Sequence, residues 1–333
     1  MAHAKAIVTG GCGFIGSHLT DILLKKGLSV IVLDNLSTGR IDNLESQKNN
    51  KKLRIIHADI CDLKKIQKYF MGIDYVFHLA ALADIVPSIE RPLDYHEANV
   101  NGTLNVLIAA QKAKIKKFIY ASSSSCYGIP ESFPTKETDP IKPVYPYALT
   151  KYLGEQYVMH WGRVYNLPVI ALRLFNVYGP KARTSGNYGA VFGVLLKQKL
   201  AGKPFTVVGN GKQTRDFIFV TDVANAFWSS AKSRVKNEIM NVGSGNTYSV
   251  NKLIELLGGE KTLIPKRPGE PNCTFGDISK IKRLLTWKPK VSFEQGVKIV
   301  LDNIDYWKDA PLWEAKSIQK ATKSWFLYLS KQK

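Results

Sequence analysis

Short apolar runs alternate with helical patterns through the first half of the chain, and this alternation predicts an α/β fold. The apolar runs are nearly continuous, as expected for parallel strands that are covered on both faces. They predict buried strands at 5–10, 29–34, 53–59, 75–80, 117–123 and 169–175. Periodic stretches predict helices at about 14–26, 62–70, 99–113 and 147–165. The pattern is typical of a doubly wound parallel sheet, whose carboxyl strand ends share one ligand-binding edge.

The pattern changes after residue 175. Residues 176–189 are rich in Gly and Pro and predict a long functional loop. A helix near 189–201, strands near 204–208 and 238–244, and a mostly helical tail from 250 follow. We therefore predict two domains: a dinucleotide-type domain at 1–175, joined by an element near 215–245, and a smaller mixed α/β substrate domain at 176–333.

Composition adds limits rather than a function. The chain has 333 residues and no apolar run approaching the ~20 residues of a membrane span. Its cysteines show no metal-binding spacing, so we expect free thiols, a cytoplasmic location and no metal site. The net charge of +20 comes from basic pairs spread along the chain, which favours a lysine-rich solvated surface over a nucleic-acid or membrane partner.

A glycine-rich turn between the first strand and helix predicts a dinucleotide site. Gly10, Gly13 and Gly16 allow a tight turn and close approach of a pyrophosphate to the helix N-terminus. Asp34 ends the second strand, 18 residues past Gly16, where a carboxylate binds the ribose hydroxyls and repels a 2′-phosphate. The turn predicts a Rossmann-type domain that binds NAD rather than NADP, although Arg40 stands nearby.

Tyr147 and Lys151 are four residues apart, so both lie on one face of the predicted helix, near its start at Pro146. An ammonium and a nicotinamide cation beside a phenol favour its ionised form. Lowering a phenol pKa from ~10 to near 7 requires roughly 4 kcal/mol, which two nearby charges in a dry site supply. We therefore expect an acidified Tyr147.

A series of motifs occurs in order along the chain: TGGCGFIGSHL, DN at 34–35, HADI at 57–60, HLAA at 78–81, NVNGT at 99–103, SSSSCYG, YALTK and LRLFNVYGP. This series carries a resemblance to the extended short-chain dehydrogenase/reductase family, in particular its nucleotide-sugar epimerases and dehydratases. It continues through residues 209–226 and 266–271, and therefore covers nearly the whole chain.

The resemblance assigns roles by motif position. Tyr147 is the implied general acid/base, Lys151 tunes it, and Ser123 takes the place of the family's catalytic Ser/Thr. The implied NAD contacts are Gly10, Gly13, Phe14, Ile15, Gly16, Asp34, Asn35, Asp59, Ile60, Ala80, Ala81, Asn99, Tyr147, Lys151 and Phe175. The implied contacts to a nucleotide-diphosphate sugar are Ser123, Ser124, Tyr147, Asn176, Arg215 and Arg267.

Within this family the sequence favours a 4-epimerase working through a transient 4-keto sugar. The dehydratases, and in part the decarboxylases, carry acidic residues where this chain has Ser124 and Ser125, and serines are poor bases near neutral pH. Cys126 is one residue past the cysteine of some 3,5-epimerases, which indicates packing. Thr274 stands where other epimerases have a bulky residue, so an N-acetylhexosamine or uronate is expected to fit beside a hexose.

Two alternatives to a 4-epimerase stay open. A dehydratase or decarboxylase of the same family is the nearer alternative, and a non-catalytic binding protein is the more distant one. Retention of Ser123, Tyr147 and Lys151 favours an enzyme. The resemblance also implies a homodimer, in which helices 99–113 and 147–165 pair with their copies, although their apolar residues suit an internal core equally well.

Overall fold

A computed structural model describes residues 4–182 and 191–330. Strands in these ranges, numbered along the chain, are β1 Lys5–Thr9, β2 Ser29–Asp34, β3 Leu53–His57, β4 Tyr75–His78, β5 Lys117–Ser123, β6 Val169–Leu174, β7 Asn176–Tyr178, β8 Phe205–Val208, β9 Thr214–Arg215, β10 Phe217–Phe219, β11 Glu238–Val242, β12 Tyr248–Ser249 and β13 Lys261–Ile264.

The helices follow the same numbering. They are α1 Phe14–Lys25, α2 Leu63–Ile66, α3 Ile85–Glu90, α4 Pro92–His96, α5 Gly102–Lys112, α6 Pro146–Val164, α7 Val191–Leu200, α8 Val220–Lys232, α9 Val250–Leu257, α10 Ser279–Leu285, α11 Phe293–Asp302, α12 Ala315–Ala321 and α13 Lys323–Leu329. Within the described ranges, no helix is both long enough and apolar enough to cross a bilayer.

A parallel sheet in the order β11-β6-β5-β4-β1-β2-β3 organises the molecule. Every neighbouring pair in it is parallel, and apolar clusters cover both of its faces. The order places β1 between β4 and β2, so helices are wound onto opposite faces on either side of it. This confirms the predicted Rossmann-type fold, and the carboxyl ends of its strands line one edge.

The second half of the chain contributes to this sheet. Strand β11 pairs with β6, with Met240 opposite Leu172, and α8 packs against α1. The remaining strands form short pairs, β7 with β10, β8 with β13 and β9 with β12, around an aromatic cluster that includes Phe217, Phe293 and Trp307. Division of the chain into two domains at residues 175 and 176 stays a prediction.

Element boundaries depart from the sequence prediction in three places. The predicted helix 62–70 is the four-residue α2 followed by a 3₁₀ turn. The predicted helix 99–113 is α5 preceded by a π-helical turn at 97–101, which joins it to α4. Helices α3 and α4 were not predicted, because both are short and contain a proline in their first turn, and short prolyl segments resemble turns. Half of the predicted loop, residues 183–189, lies outside the described residues, and its first three residues form β7.

His78 joins β1, β4 and α5 at the centre of the sheet and is fully buried. Thr103 donates its hydroxyl proton to the Asn99 carbonyl (2.7 Å), so its oxygen is left to accept from His78 Nε2 at 2.9 Å. His78 Nδ1 then accepts from the Thr9 hydroxyl at 2.7 Å. Burial lowers the pKa of His78 to about 3, and the neutral ring satisfies every partner.

Acid is therefore expected to weaken the fold through His78. Below its ordinary pKa of 6.5 the unfolded chain binds a proton that the folded protein does not, so stability falls as pH drops from 6.5 towards 3. The slope from this one group approaches about 1.4 kcal/mol per pH unit. Replacing His78→Phe should lower stability at neutral pH but remove this part of the slope, as measured by urea unfolding across the acid range. An identical slope in both proteins would contradict the assignment.

Candidate active site

The glycine turn forms one end of a cleft of about 1130 Å³ at the carboxyl edge of the sheet. Gly10 has φ +69°, and a Cβ there would lie 2.8 Å from the Ala80 nitrogen. A Cβ on Gly16 would lie 2.1 Å from the Gly10 carbonyl oxygen. Helix α1 begins after Gly13 without a side-chain cap, so its first N–H groups face the cleft. These glycines form a cradle that any side chain would fill, which suits a bound pyrophosphate.

Asp34 lies beside this cradle at the end of β2 and is buried. Its Oδ2 accepts from the Cys12 N–H at 2.9 Å and its Oδ1 from the Leu36 N–H at 2.8 Å. Burial raises the pKa of Asp34, and these two hydrogen bonds oppose the rise. Each oxygen keeps a lone pair that can accept from a ribose hydroxyl. Arg40, the basic residue noted near this site in the sequence, has its guanidinium carbon 4.7 Å from the centre of the Tyr306 ring.

Most of the predicted NAD contacts do line this cleft. They are Gly10, Gly13, Phe14, Ile15, Gly16, Asp34, Asn35, Asp59, Ile60, Ala80, Ala81, Tyr147, Lys151 and Phe175. Asn99 does not line it. Its carboxamide is fully buried, accepts from the Leu82 N–H at 2.8 Å and donates to the Leu82 carbonyl and the Thr150 hydroxyl at 3.0 Å. Asn99 therefore holds the cleft wall together, and its predicted contact with NAD stays a prediction.

Tyr147, Lys151 and Ser123 meet in the middle of the cleft. Pro146 occupies the first turn of α6, as the sequence predicts, and places Tyr147 and Lys151 on the helix face towards the end of β5. Ser123 ends β5, and its hydroxyl hydrogen-bonds the Ser125 hydroxyl at 2.8 Å. Ser123 also lies close enough to the Tyr147 phenol to oppose the rise of its pKa. Lys151 is buried, with Nζ 4.2 Å from the centre of the Tyr120 ring.

The expected acidified phenol is not found in the protein itself. Burial raises the pKa of Tyr147, and the hydrogen bond from Ser123 opposes that rise only in part. Burial also lowers the pKa of Lys151 to about 7, against the attraction of Glu155. A lysine that is only partly protonated near neutral pH is a weaker acidifying neighbour than the full ammonium assumed from the sequence. A cationic ligand beside Tyr147 would add a positive charge that favours the phenolate.

The predicted substrate-binding residues line the other end of the cleft. Ser124, Asn176, Arg215 and Arg267 all lie there, together with Thr274. Asn176 Oδ1 accepts from the Thr274 hydroxyl at 2.8 Å, which leaves its amide N–H groups for a ligand.

Glu270 lies in the segment 266–271 but was not predicted as a site residue, and it stands between the two arginines. Its Oε1 accepts from Arg215 at 2.7 Å, and its Oε2 lies 3.9 Å from an Arg267 nitrogen. One carboxylate between two guanidinium groups leaves a net positive subsite.

An ion pair between Arg173 and Glu155, which was not predicted from the sequence, lies behind Ser123 and Lys151. Arg173 donates to both carboxylate oxygens of Glu155, at 2.7 and 2.9 Å, and the two side chains are 3% and 0% exposed. Glu155 also accepts from the Ser122 hydroxyl at 2.7 Å. Glu155 follows Lys151 by one turn of α6, and Ser122 precedes Ser123 in β5. The pair therefore ties the helix of Lys151 to β5 and β6.

Removal of one residue of the Arg173–Glu155 pair is expected to leave the other as an unpaired buried charge. Arg173→Met leaves Glu155 without its cation and should lower the free energy of unfolding by about 3–5 kcal/mol. The double variant Arg173→Met with Glu155→Leu should recover much of that loss. The control is Lys298→Met, which breaks a surface pair with Asp302 (side chains 75% and 57% exposed) and should cost less than about 1 kcal/mol. Urea unfolding measures all three, and equal losses for Arg173→Met and Lys298→Met would contradict the assignment.

Cys126 is buried behind the serine segment, and burial raises the pKa of its thiol to about 12. A thiol that stays protonated suits the packing role predicted for it. Within the described ranges, no group of three or more His, Cys, Asp or Glu side chains is arranged to hold a metal ion.

Comparison with known proteins gives the same family at the level of sequence and of structure. Residues 6–243 match the model of the NAD dependent epimerase/dehydratase family. UDP-glucose 4-epimerase of Mycolicibacterium smegmatis is 35% identical over 88% of this chain and 96% of its own length. UDP-N-acetyl-alpha-D-glucosaminuronate decarboxylase of Bacillus cytotoxicus is 34% identical over 88% of this chain and 95% of its own.

A solved structure agrees with this placement. UDP-N-acetylglucosamine 4-epimerase from Methanobrevibacter ruminantium M1, in complex with UDP-N-acetylmuramic acid, superposes with a TM-score of 0.85 at 35% identity. The match covers 91% of this chain and 100% of that one. The glycine cradle, the Tyr147–Lys151 pair and these matches lead to one conclusion: the chain belongs to the NAD-dependent epimerase/dehydratase family.

Proposed function

We propose that this protein is an NAD-dependent 4-epimerase of UDP-linked sugars, with a hexose, an N-acetylhexosamine or a uronate as the sugar. One observation carries the proposal. Ser123, Tyr147 and Lys151 lie in the same cleft as the glycine cradle, on the side that leads to Arg215 and Arg267. A cofactor at the cradle and a diphosphate at the arginines would bring a sugar to Tyr147.

The cradle and Asp34 fit NAD. Gly10, Gly13 and Gly16 would hold its pyrophosphate, and Asp34 its adenosine ribose, where a 2′-phosphate would meet a carboxylate. Asp59 and Ile60 would contact the adenine, and Phe175 the nicotinamide. When bound, NAD supplies a hydride acceptor and a positive charge beside Tyr147.

Tyr147 would take the proton of the sugar 4-hydroxyl and later return it. Ser123, which lines the cleft beside the phenol, would hold that hydroxyl in place through its own oxygen. Lys151, with a pKa of about 7, would orient the nicotinamide ribose and change its charge at little cost as the phenol gains or loses its proton. Epimerisation requires no further base, because the 4-keto sugar turns within the cleft and is reduced on its other face.

Arg215, Arg267 and Asn176 would bind the diphosphate of the substrate, since guanidinium forks match phosphate oxygens. Ser124 would contact the sugar. Thr274 is small and is held by its bond to Asn176, so it leaves room for an N-acetyl or carboxylate substituent.

We also propose a cytoplasmic homodimer. Leu149, Leu153 and Tyr157 are spaced one turn apart on the outer face of α6, and Leu149 and Tyr157 are 45% and 37% exposed. Leu107 and Val158, two apolar residues of the helices predicted to pair, are fully buried within the subunit. The apolar stripe on α6 is therefore the part of the predicted interface that stays free for a second copy.

Replacing Gly16→Ala tests the cofactor site. The added Cβ would lie 2.1 Å from the Gly10 carbonyl, so the cradle has to open and NAD should be lost. The control is Gly27→Ala, at φ +89° with no atom within 4 Å of the added Cβ, which strains the backbone but leaves the cleft intact. NAD released by acid from the purified proteins measures occupancy. Full occupancy in Gly16→Ala would overturn the assignment.

Incubation with a panel of UDP-sugars tests the reaction. We expect the C4 epimer as the product, seen by NMR, and a rate that falls by about 10²–10⁴-fold in Tyr147→Phe, which cannot accept or donate the proton. Tyr165→Phe, at the residue directly after the same helix and 46% exposed, is the matched control and should retain full activity. Equal rates in the native protein and Tyr147→Phe would refute the mechanism.

The same panel separates the alternatives of this family. A 4-keto-6-deoxy sugar would identify a dehydratase, and release of carbon dioxide from a UDP-uronate would identify a decarboxylase. Ser124 and Ser125, which replace the acidic residues of the dehydratases, support epimerisation. Tight binding without product from any sugar would favour a non-catalytic protein.

A further inference from the structure

The C-terminal helix α13 packs over the outer end of the cleft. Trp325 and Leu329 form an apolar cluster with Val86 of α3 and with Tyr145, the residue before α6. Ser324 donates to Glu90 at 2.8 Å, which fixes α13 to the end of α3. Helix α13 lies beyond the residues that match the family model, 6–243, so the family likeness assigns it no role.

Trp325 links this helix to the loop of Arg267. The indole lines the cleft although only 5% of the side chain is exposed. Its N–H donates to the Pro268 carbonyl at 2.6 Å. The Arg267 guanidinium carbon lies 5.5 Å from the centre of the indole ring, within the range of a cation–π contact. One rigid side chain therefore holds both the backbone next to Arg267 and its charged group.

Trp325 is also linked to Tyr147 through Tyr145. Its ring centre lies 6.4 Å from that of Tyr145, and Tyr145 in turn stacks on Tyr147 with centres 6.3 Å apart and planes within 6°. The indole stands between the proposed diphosphate subsite at Arg267 and the ring next to Tyr147. A large planar side chain in that place forms a wall along the bound sugar nucleotide.

We infer that Trp325 is a positioning residue for the nucleoside-diphosphate part of the substrate, acting through Arg267, and that α13 is the element that completes this subsite. The inference rests on the proposed function for the identity of the ligand. Helix α13 sets affinity for the diphosphate, whereas the glycine cradle at the opposite end of the cleft keeps its cofactor without it.

Binding of UDP, followed by calorimetry on the full chain, tests the inference. Trp325→Ala removes both the ring face and the N–H, so the Kd for UDP should rise about tenfold, with bound NAD unchanged. Trp325→Phe keeps a ring face for Arg267 but loses the bond to Pro268, and an intermediate Kd is expected. The matched control is Leu327→Ala, on the same helix at 56% exposure, which should bind UDP as the native protein does.

The outcomes separate this inference from the proposed function. A KM for UDP-sugar that rises in Trp325→Ala while kcat changes less than about twofold supports a positioning role and excludes general damage to the fold. Equal UDP affinity in the native protein and in both Trp325 variants overturns the inference and leaves epimerase activity to stand by itself. UDP affinity that follows Trp325 in a protein that epimerises no sugar overturns the proposed function and keeps the inference. Failure of the native chain to bind UDP counts against both.

Discussion

The buried ion pair between Glu155 and Arg173 fixes α6, the helix of Tyr147 and Lys151, against the sheet. Burial of two charges is expensive and is offset only when every hydrogen bond is made. Here the bidentate contact, with Ser122 and Tyr127 as further partners, makes those bonds. These bonds are all made in only one position of α6 relative to β5, and that position also fixes Tyr147. The same carboxylate is the anion that favours the charged form of Lys151.

The sheet then decides where chemistry can occur. Parallel strands expose their carboxyl ends on one edge, so β1, β2, β4 and β5 bring the glycine turn, Asp34, Ala80 and Ser123 to a common cleft. Charge is divided along that cleft. Its cofactor end offers N–H groups and the carboxylates of Asp34 and Asp59, whereas its far end offers Arg215 and Arg267 around Glu270. Tyr147 lies where the two ends meet.

What the sequence predicted well is local. The turn at Gly10 and the order β1-α1-β2 depend on neighbouring residues, and the Tyr147–Lys151 pair depends on helical spacing, so both were visible in one stretch of sequence. Partners distant in sequence were not. A charged residue such as Arg173 within an apolar strand indicates a buried ion pair, a signal that was not used in the prediction. No feature of the neighbouring sequence identifies Glu155 as the partner. Trp325 belongs to no sequence motif, so its place in the cleft could not be predicted. The raised pKa of Tyr147 follows from burial, and burial is known only once the packing is known.

Pairing of β11 with β6 has a consequence for how the molecule is made. The strand that protects the edge of β6 is 68 residues later in the chain, counted from Ile170 to the Glu238 that it pairs with. A ribosome that has released the first six strands has thus produced a sheet in which β6 is an edge strand, open to mispairing with other chains. Newly made protein depends on synthesis of its second half to cover β6, after which β11 is the edge strand on that side.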